Sequence, residues 1–197
     1  MRHEATTNHL RRSNPLLLIA TVVAVGFVAL LSVVVLRPAE DSFPTLRNLP
    51  ASDFTLQLYS GGRLHLAGLH GKTVVVNFWW SGCPPCIQEA PILERQWRAW
   101  RHKDVVFVGV DELDDPASTA PLDFLKAYDI TYPNGPDPNY VNIEYGTTGQ
   151  PETVFITPQG RISNKYPRPF SDDQTLGRLI QEARTSVVQP QGTVVGR

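Results

Sequence analysis

The sequence predicts an α/β domain: a central mixed sheet flanked by helices, with an N-terminal β-hairpin, preceded by one transmembrane helix. Three observations carry this. The runs Thr73–Phe78 and Val105–Val110 are continuously apolar and rich in β-branched residues, as strands buried on both faces require. A helical-period segment separates them and a hairpin and helix follow, an order that makes a mixed sheet covered on both faces. Pro15 to Leu36 carries no charge, and about 20 apolar residues suffice to cross a bilayer as a helix.

Taken in order, residues 1–14 read as a cytoplasmic N-terminus, 15–36 as the membrane anchor, 37–50 as a tether, 51–186 as the α/β domain and 187–197 as a loose tail without periodicity. Arg2, Arg11 and Arg12 precede the anchor, whereas Arg37 after it is soon balanced by Glu40 and Asp41. The positive-inside rule therefore leaves the N-terminus in the cytoplasm and the domain outside, on the periplasmic or outer face of the cell membrane. A cleaved signal peptide is the alternative. Its apolar core is typically only about 7–15 residues, and Val35-Leu36-Arg37 makes a poor cleavage site. Arg11-Arg12 resembles a twin-arginine signal, but Ser13-Asn14-Pro15 is a weak continuation.

Within the domain, Asp53–Tyr59 and Arg63–Leu66 alternate around Ser60-Gly61-Gly62, the pattern of a hairpin. After the first buried strand, Cys86, Ala90, Leu93, Trp97 and Trp100 fall on one helical face. Pro91 is expected to kink this helix without ending it, because the periodicity continues. Leu122, Leu125 and Ala127 or Tyr128 mark a second helix, and the turn-rich segment 132–140 leads to a short helical piece near Tyr145. Thr153–Thr157 and Arg161–Ser163 form a closing hairpin around Pro158-Gln159-Gly160. Ser171 is placed to cap a last helix with Leu176, Leu179 and Ile180 inward. The long 111–121 stretch and the 132–140 loop are positioned to shape a partner groove.

A chain of 197 residues with 42% hydrophobic content supports one domain with a real core plus the N-terminal extras. A formal charge of -1 and the lack of a basic stripe argue against a nucleic-acid partner. No cofactor or metal is called for.

The chemistry lies in Cys83-Pro84-Pro85-Cys86, which holds the chain's two cysteines just beyond the first buried strand. Two thiols separated by two residues can close and reopen a small disulfide, a two-electron redox centre. A strand feeding a helix places Cys83 near the helix N-terminus, where free amides and the macrodipole favour the thiolate that attacks disulfides. A structural disulfide gains most from closing a long loop, and this ring is short. A structural zinc site needs four ligands, and no second Cys-x-x-Cys or His-x-x-His pair is present. A poised dithiol outside the cytoplasm also needs electron-transfer partners.

The segment Asn77-Phe-Trp-Trp-Ser-Gly-Cys-Pro-Pro-Cys-Ile-Gln-Glu-Ala-Pro91 resembles the active-site segment of membrane-tethered thioredoxin-fold thiol–disulfide oxidoreductases (TlpA/ResA/CcmG-DsbE-like), the extracytoplasmic reductants used in cytochrome c maturation. Tyr145-Gly-Thr-Thr-Gly-Gln-Pro-Glu-Thr-Val-Phe-Ile-Thr-Pro-Gln-Gly-Arg-Ile162 is similar to the family's second signature. The resemblance runs from about Ser52 to Ala183 and implies a thioredoxin-like fold. It implies Cys83 as the exposed nucleophile, Cys86 as the buried resolving thiol, and Pro151 as a cis-proline facing the dithiol. Trp79, Pro84, Pro85, Gln150 and Pro151 would then line the substrate site. Glu89 matches an acid beside the dithiol, where burial would raise its pKa and fit it to relay the Cys86 proton; the alternative is a solvated first-turn glutamate complementing the helix dipole. Glu152 is a second acid near the same place. The chain departs from the wider fold at Asn77, where an aspartate is common, and at Gly82, where a tryptophan is usual.

The resemblance implies disulfide-containing protein substrates such as apocytochrome c, and a membrane thiol donor that re-reduces the pair. A disulfide-forming oxidase or isomerase would carry a similar sequence, since direction is set by how strongly the reduced form is stabilised. A copper metallochaperone would need a histidine (His65, His70 or His102) to join the cysteines. A non-catalytic adaptor would tolerate loss of both thiols. No Pro-x-x-x-Thr-x-x-Cys segment of a peroxidase is present.

Overall fold

The computed structural model describes residues 15–35 and 46–186. The expected cytoplasmic N-terminus (1–14), most of the tether and the expected tail (187–197) lie outside the described residues. The chain divides into two units between Ser42 and Phe43. In the first, Pro15–Val35 is a single 21-residue α-helix, α1. Among the described residues no helix is long and apolar enough to cross a membrane.

The second unit is organised by its central strand. Thr73–Trp79 (β3) is buried at every position, as its unbroken apolar run requires. It pairs in parallel with Val105–Asp111 (β4) and antiparallel with Glu152–Ile156 (β6), and Ile162–Tyr166 (β7) continues antiparallel beyond β6. The sheet is therefore mixed, in the order β5-β4-β3-β6-β7. Its edge strand β5, Asn134–Pro136, lies inside the segment read from sequence as a turn-rich loop. A three-residue strand spelled Asn-Gly-Pro has no β-propensity to announce it; β4 recruits it by hydrogen bonds.

Alternation along the strands separates two cores. Val75, Phe107 and Phe155 point to one face, where Leu93 of the helix Pro84–Trp100 (α2) meets Leu176, Leu179 and Ile180 of the helix Asp173–Thr185 (α5). Val74, Val76, Phe78, Val108 and Val154 point to the other. There the cover is the antiparallel hairpin Thr55–Gln57 (β1) and Arg63–His65 (β2), the 3-10 turn Leu66–Leu69, and the one-turn helix Val141–Glu144 (α4) with Tyr145. The helix α2 continues through Pro91.

The expected second helix forms as Ala120–Ala127 (α3), with Pro121 and Phe124 buried and Leu122 48% exposed, because the helix packs across the end of β3 onto Trp79. One local expectation is corrected. The cap of α5 is Asp172, whose Oδ1 accepts from Thr175 N at 2.7 Å. The helix begins at Asp173, so residue 172, not Ser171, is in reach of the third helical amide.

Candidate active site

The dithiol is positioned by the junction of β3 and α2. β3 ends at Trp79, residues 80–82 turn the chain, and Cys83 is the N-cap of α2. Pro84 and Pro85 occupy the first helical positions, where a missing N–H is no loss. The first-turn donor left to reach the cap is Cys86 N–H, which donates to Cys83 Sγ at 3.2 Å. Cys83 and Cys86 are joined as a disulfide. Once reduced, a Cys83 thiolate would sit on that amide at the positive end of the helix dipole. Cys83 was expected exposed, but in the disulfide state it is only 2% exposed. It packs in a cluster with Trp79, Cys86, Ala90 and Phe124, with Trp80 against the edge.

One helical turn beyond Cys86, and on the same face of α2, Glu89 is 1% exposed. Its Oε1 accepts from Asn77 Nδ2 at 2.9 Å and its Oε2 from Phe170 N at 3.0 Å. Asn77 Nδ2 also donates to Thr153 Oγ1 at 3.1 Å. Burial pushes the Glu89 carboxyl up to about 7, against the lowering effect of those two hydrogen bonds. The solvated first-turn alternative is thereby set aside. Asn77, the departure from aspartate, serves as the donor that orients this acid.

Opposite the dithiol, the Gln150–Pro151 peptide bond is cis and Pro151 is buried. β6 begins one residue later, with Glu152 in register with Phe78, so Pro151 lies level with Trp79 at the strand end from which the Cys83 loop departs. Gln150 Nε2 donates to Glu112 Oε2, which also accepts from Asn142 Nδ2 at 3.2 Å. Burial raises the Glu112 carboxyl's pKa. Two residues on, Asp114 receives both Ser81 N (2.7 Å) and Ser81 Oγ (2.6 Å). Asp111 at the end of β4 underlies this segment: it accepts from Asp114 N at 3.2 Å and from Tyr59 OH at 2.6 Å. Burial pushes Asp111 up to about 6. Tyr59, Asp111, Glu112 and Asp114 were not singled out from sequence. The signal was the acidic run 111–115 at the carboxyl end of a buried strand, where open α/β sheets place their sites.

The remaining expected residues sort by burial. Pro84 is exposed and Pro85 half-buried. Trp79, expected among substrate-contacting residues, is instead interior, stacked on Phe124 with ring centroids 4.5 Å apart; it floors the site, because odd-numbered β3 residues point toward α2 and α3. Trp80 is the partly exposed ring. At Gly82 a Cβ would lie 2.1 Å from Trp80 Cζ3, so any larger residue there requires the Trp80 ring to move. Glu152 lies on the opposite sheet face from Glu89 and is paired with Lys165 at 2.7 Å while accepting from Thr148 N and Oγ1. His65 is tied to Asp53 at 2.6 Å on the hairpin, away from the cysteines. Among the described residues, no cluster of His, Cys, Asp and Glu could hold a metal ion.

Residues 48–165 match the model of the AhpC/TSA family. The thiol-disulfide oxidoreductase ResA of Bacillus subtilis is 30% identical over 113 residues, 57% of this chain and 62% of that protein's length. The thiol:disulfide interchange protein DsbE homolog of Paracoccus denitrificans is 32% identical over 180 residues, 87% of this chain and 94% of its own. Among solved structures, a thiol:disulfide interchange protein of the thioredoxin family from Chlorobium tepidum superposes with a TM-score of 0.61 at 25% identity, covering 70% of this chain and 97% of that one. A secreted Mycobacterium tuberculosis disulfide oxidoreductase homologous to E. coli DsbE gives 0.56 at 28% identity, covering 65% and 94%. With a Cys-x-x-Cys disulfide capping a helix, a cis-proline at the adjoining end of the neighbouring strand and a buried acid one helical turn behind, the chain belongs to the AhpC/TSA family, as a thioredoxin-like thiol–disulfide oxidoreductase of the ResA/DsbE kind.

Proposed function

We propose that this chain is an anchored, extracytoplasmic reductant of disulfides in secreted apoproteins, apocytochrome c being the substrate that best suits it. The observation that carries the reading is the pairing of a helix-capping Cys83 with a buried Glu89 one turn behind Cys86, held by Asn77 and Phe170 N. In the reduced state, the Cys83 thiolate attacks one sulfur of a substrate disulfide. A Cys83–substrate disulfide forms, and the other substrate sulfur leaves as a thiolate that takes up a proton. Cys86, giving its proton to ionised Glu89, then attacks Cys83 Sγ; the second substrate thiol departs and the 83–86 disulfide closes. Two electrons pass to the substrate; of the protons its two sulfurs take up, one comes from solvent and the other is the Cys86 proton, handed on by Glu89 to the second departing thiolate. An upstream membrane dithiol must return the electrons.

The anchored location is supported by the uncharged Pro15–Leu36 run with Arg2, Arg11 and Arg12 before it. A reporter enzyme active only outside the cytoplasm, fused to the C-terminus, should be active; an inactive fusion would place the domain inside.

The mechanism is tested with paired serine variants and a peptide carrying an oxidised Cys-x-x-Cys-His segment. Cys86→Ser should accumulate the mixed disulfide with that peptide on non-reducing gels, whereas Cys83→Ser should neither trap nor reduce it. Reduction at the normal rate by Cys83→Ser would sink the mechanism.

A further inference from the structure

The segment Glu112-Leu113-Asp114 is bonded at both ends to the two loops that flank the dithiol. Glu112 accepts from the side chain of Gln150, the residue before cis-Pro151. Asp114 accepts from the backbone and hydroxyl of Ser81, two residues before Cys83. The backbone is secured as well: Glu112 N donates to Trp79 O at 2.9 Å, and Asp114 N to Asp111 Oδ1. Between these anchors Leu113 stands 60% exposed. A lone exposed leucine is ordinary on a protein surface. This one sits in the run Asp-Glu-Leu-Asp-Asp, in which the flanking acids at 112 and 114 are spent on fixing loops and the apolar side chain is left turned outward.

Resting on the reading of the dithiol as a reductant of polypeptide disulfides, we infer that Leu113 is a specificity-determining contact. It would cover an apolar residue next to the substrate disulfide, with Glu112 and Asp114 as the positioning residues that hold it at the rim of the site. The occupant is the disulfide-bearing polypeptide itself, because the anchors tie Leu113 to both loops that a substrate crossing from Cys83 to Pro151 must meet. A small disulfide with no flanking chain has nothing to set against it.

The test compares reduction of two probes by the purified full-length chain: the oxidised Cys-x-x-Cys-His peptide with apolar flanking residues, and glutathione disulfide. Leu113→Ser should lower the ratio of kcat/KM for the peptide to that for glutathione disulfide by about tenfold, the order expected for losing one partly buried leucine contact. The change should appear in KM, and Leu113→Met should restore most of the ratio. An unchanged ratio in Leu113→Ser, or a loss that Leu113→Met does not mend, would overturn the assignment. Failure of the wild-type chain to reduce either probe would instead overturn the proposed function, and the assignment with it.

Discussion

Replacing Glu89 by glutamine should remove one large contribution to the pH dependence of stability. The carboxyl is pushed from an ordinary 4.5 to about 7 by burial. Between those two values the folded chain holds a proton that the unfolded chain releases, so stability falls as pH rises. The contribution is fully present below about pH 4.5 and is lost as pH climbs through about 7. At about 1.4 kcal/mol per pH unit, the full swing is about 3 kcal/mol. Glutamine fits the site without a proton. Its Oε1 can accept from Phe170 N, and a flip of the Asn77 amide lets Oδ1 take hydrogen bonds from both the introduced Nε2 and the Thr153 hydroxyl, using the same three partners. Asp111, also raised by burial, is present in both proteins and cancels in the comparison. Urea unfolding of the oxidised protein from about pH 4.5 to about pH 8 measures the effect. With a urea dependence of about 2 kcal/mol per molar, the midpoint of Glu89→Gln relative to wild type should rise by about 1–2 M across that range. A difference that stays constant with pH would show that Glu89 titrates as an ordinary carboxylate, and the proton-relay role would fall with it.

Two further substitutions test the packing around the site. Lys165→Met leaves Glu152 buried opposite an apolar side chain in place of its ion pair, and should cost about 3–5 kcal/mol of unfolding free energy; a loss below about 1 kcal/mol would mean the pair is dispensable. Gly135→Ala places a Cβ 2.0 Å from the Gln57 backbone carbonyl, which cannot swing away as a side chain can. A loss of about 1–3 kcal/mol or more in thermal or urea unfolding is expected, and wild-type stability would show that β1 is not held against β5.

Much of this architecture was legible because its periodicities are strong. The strands β3 and β4 announce themselves as β-branched runs, and α2 keeps its apolar spacing across Pro91. The redox centre was legible because two cysteines and a strand-to-helix junction admit few other readings. What escaped depends on tertiary partners. β5 exists because β4 offers it a ladder and Gly135 lets β1 approach, neither of which its Asn-Gly-Pro sequence encodes locally. Trp79 and Trp80 look interchangeable in sequence, yet strand alternation buries the first under the dithiol and leaves the second at the rim. Glu152 stands beside Pro151 in the chain but points to the far sheet face, so adjacency overstated its closeness to the cysteines. The bonds of Glu112 and Asp114 to residues about three dozen positions away are set by the fold alone.

The central claim is that Cys83 and Cys86 form a reversible centre poised to give electrons. Equilibrating the protein with glutathione or a reference dithiol couple, and reading the fraction oxidised, gives the potential of the pair directly. The account predicts a value at or below about -200 mV, toward the -270 mV or so of thioredoxin. A value close to about -120 mV would make the centre an oxidant that inserts disulfides, and would contradict the direction of electron flow proposed for it.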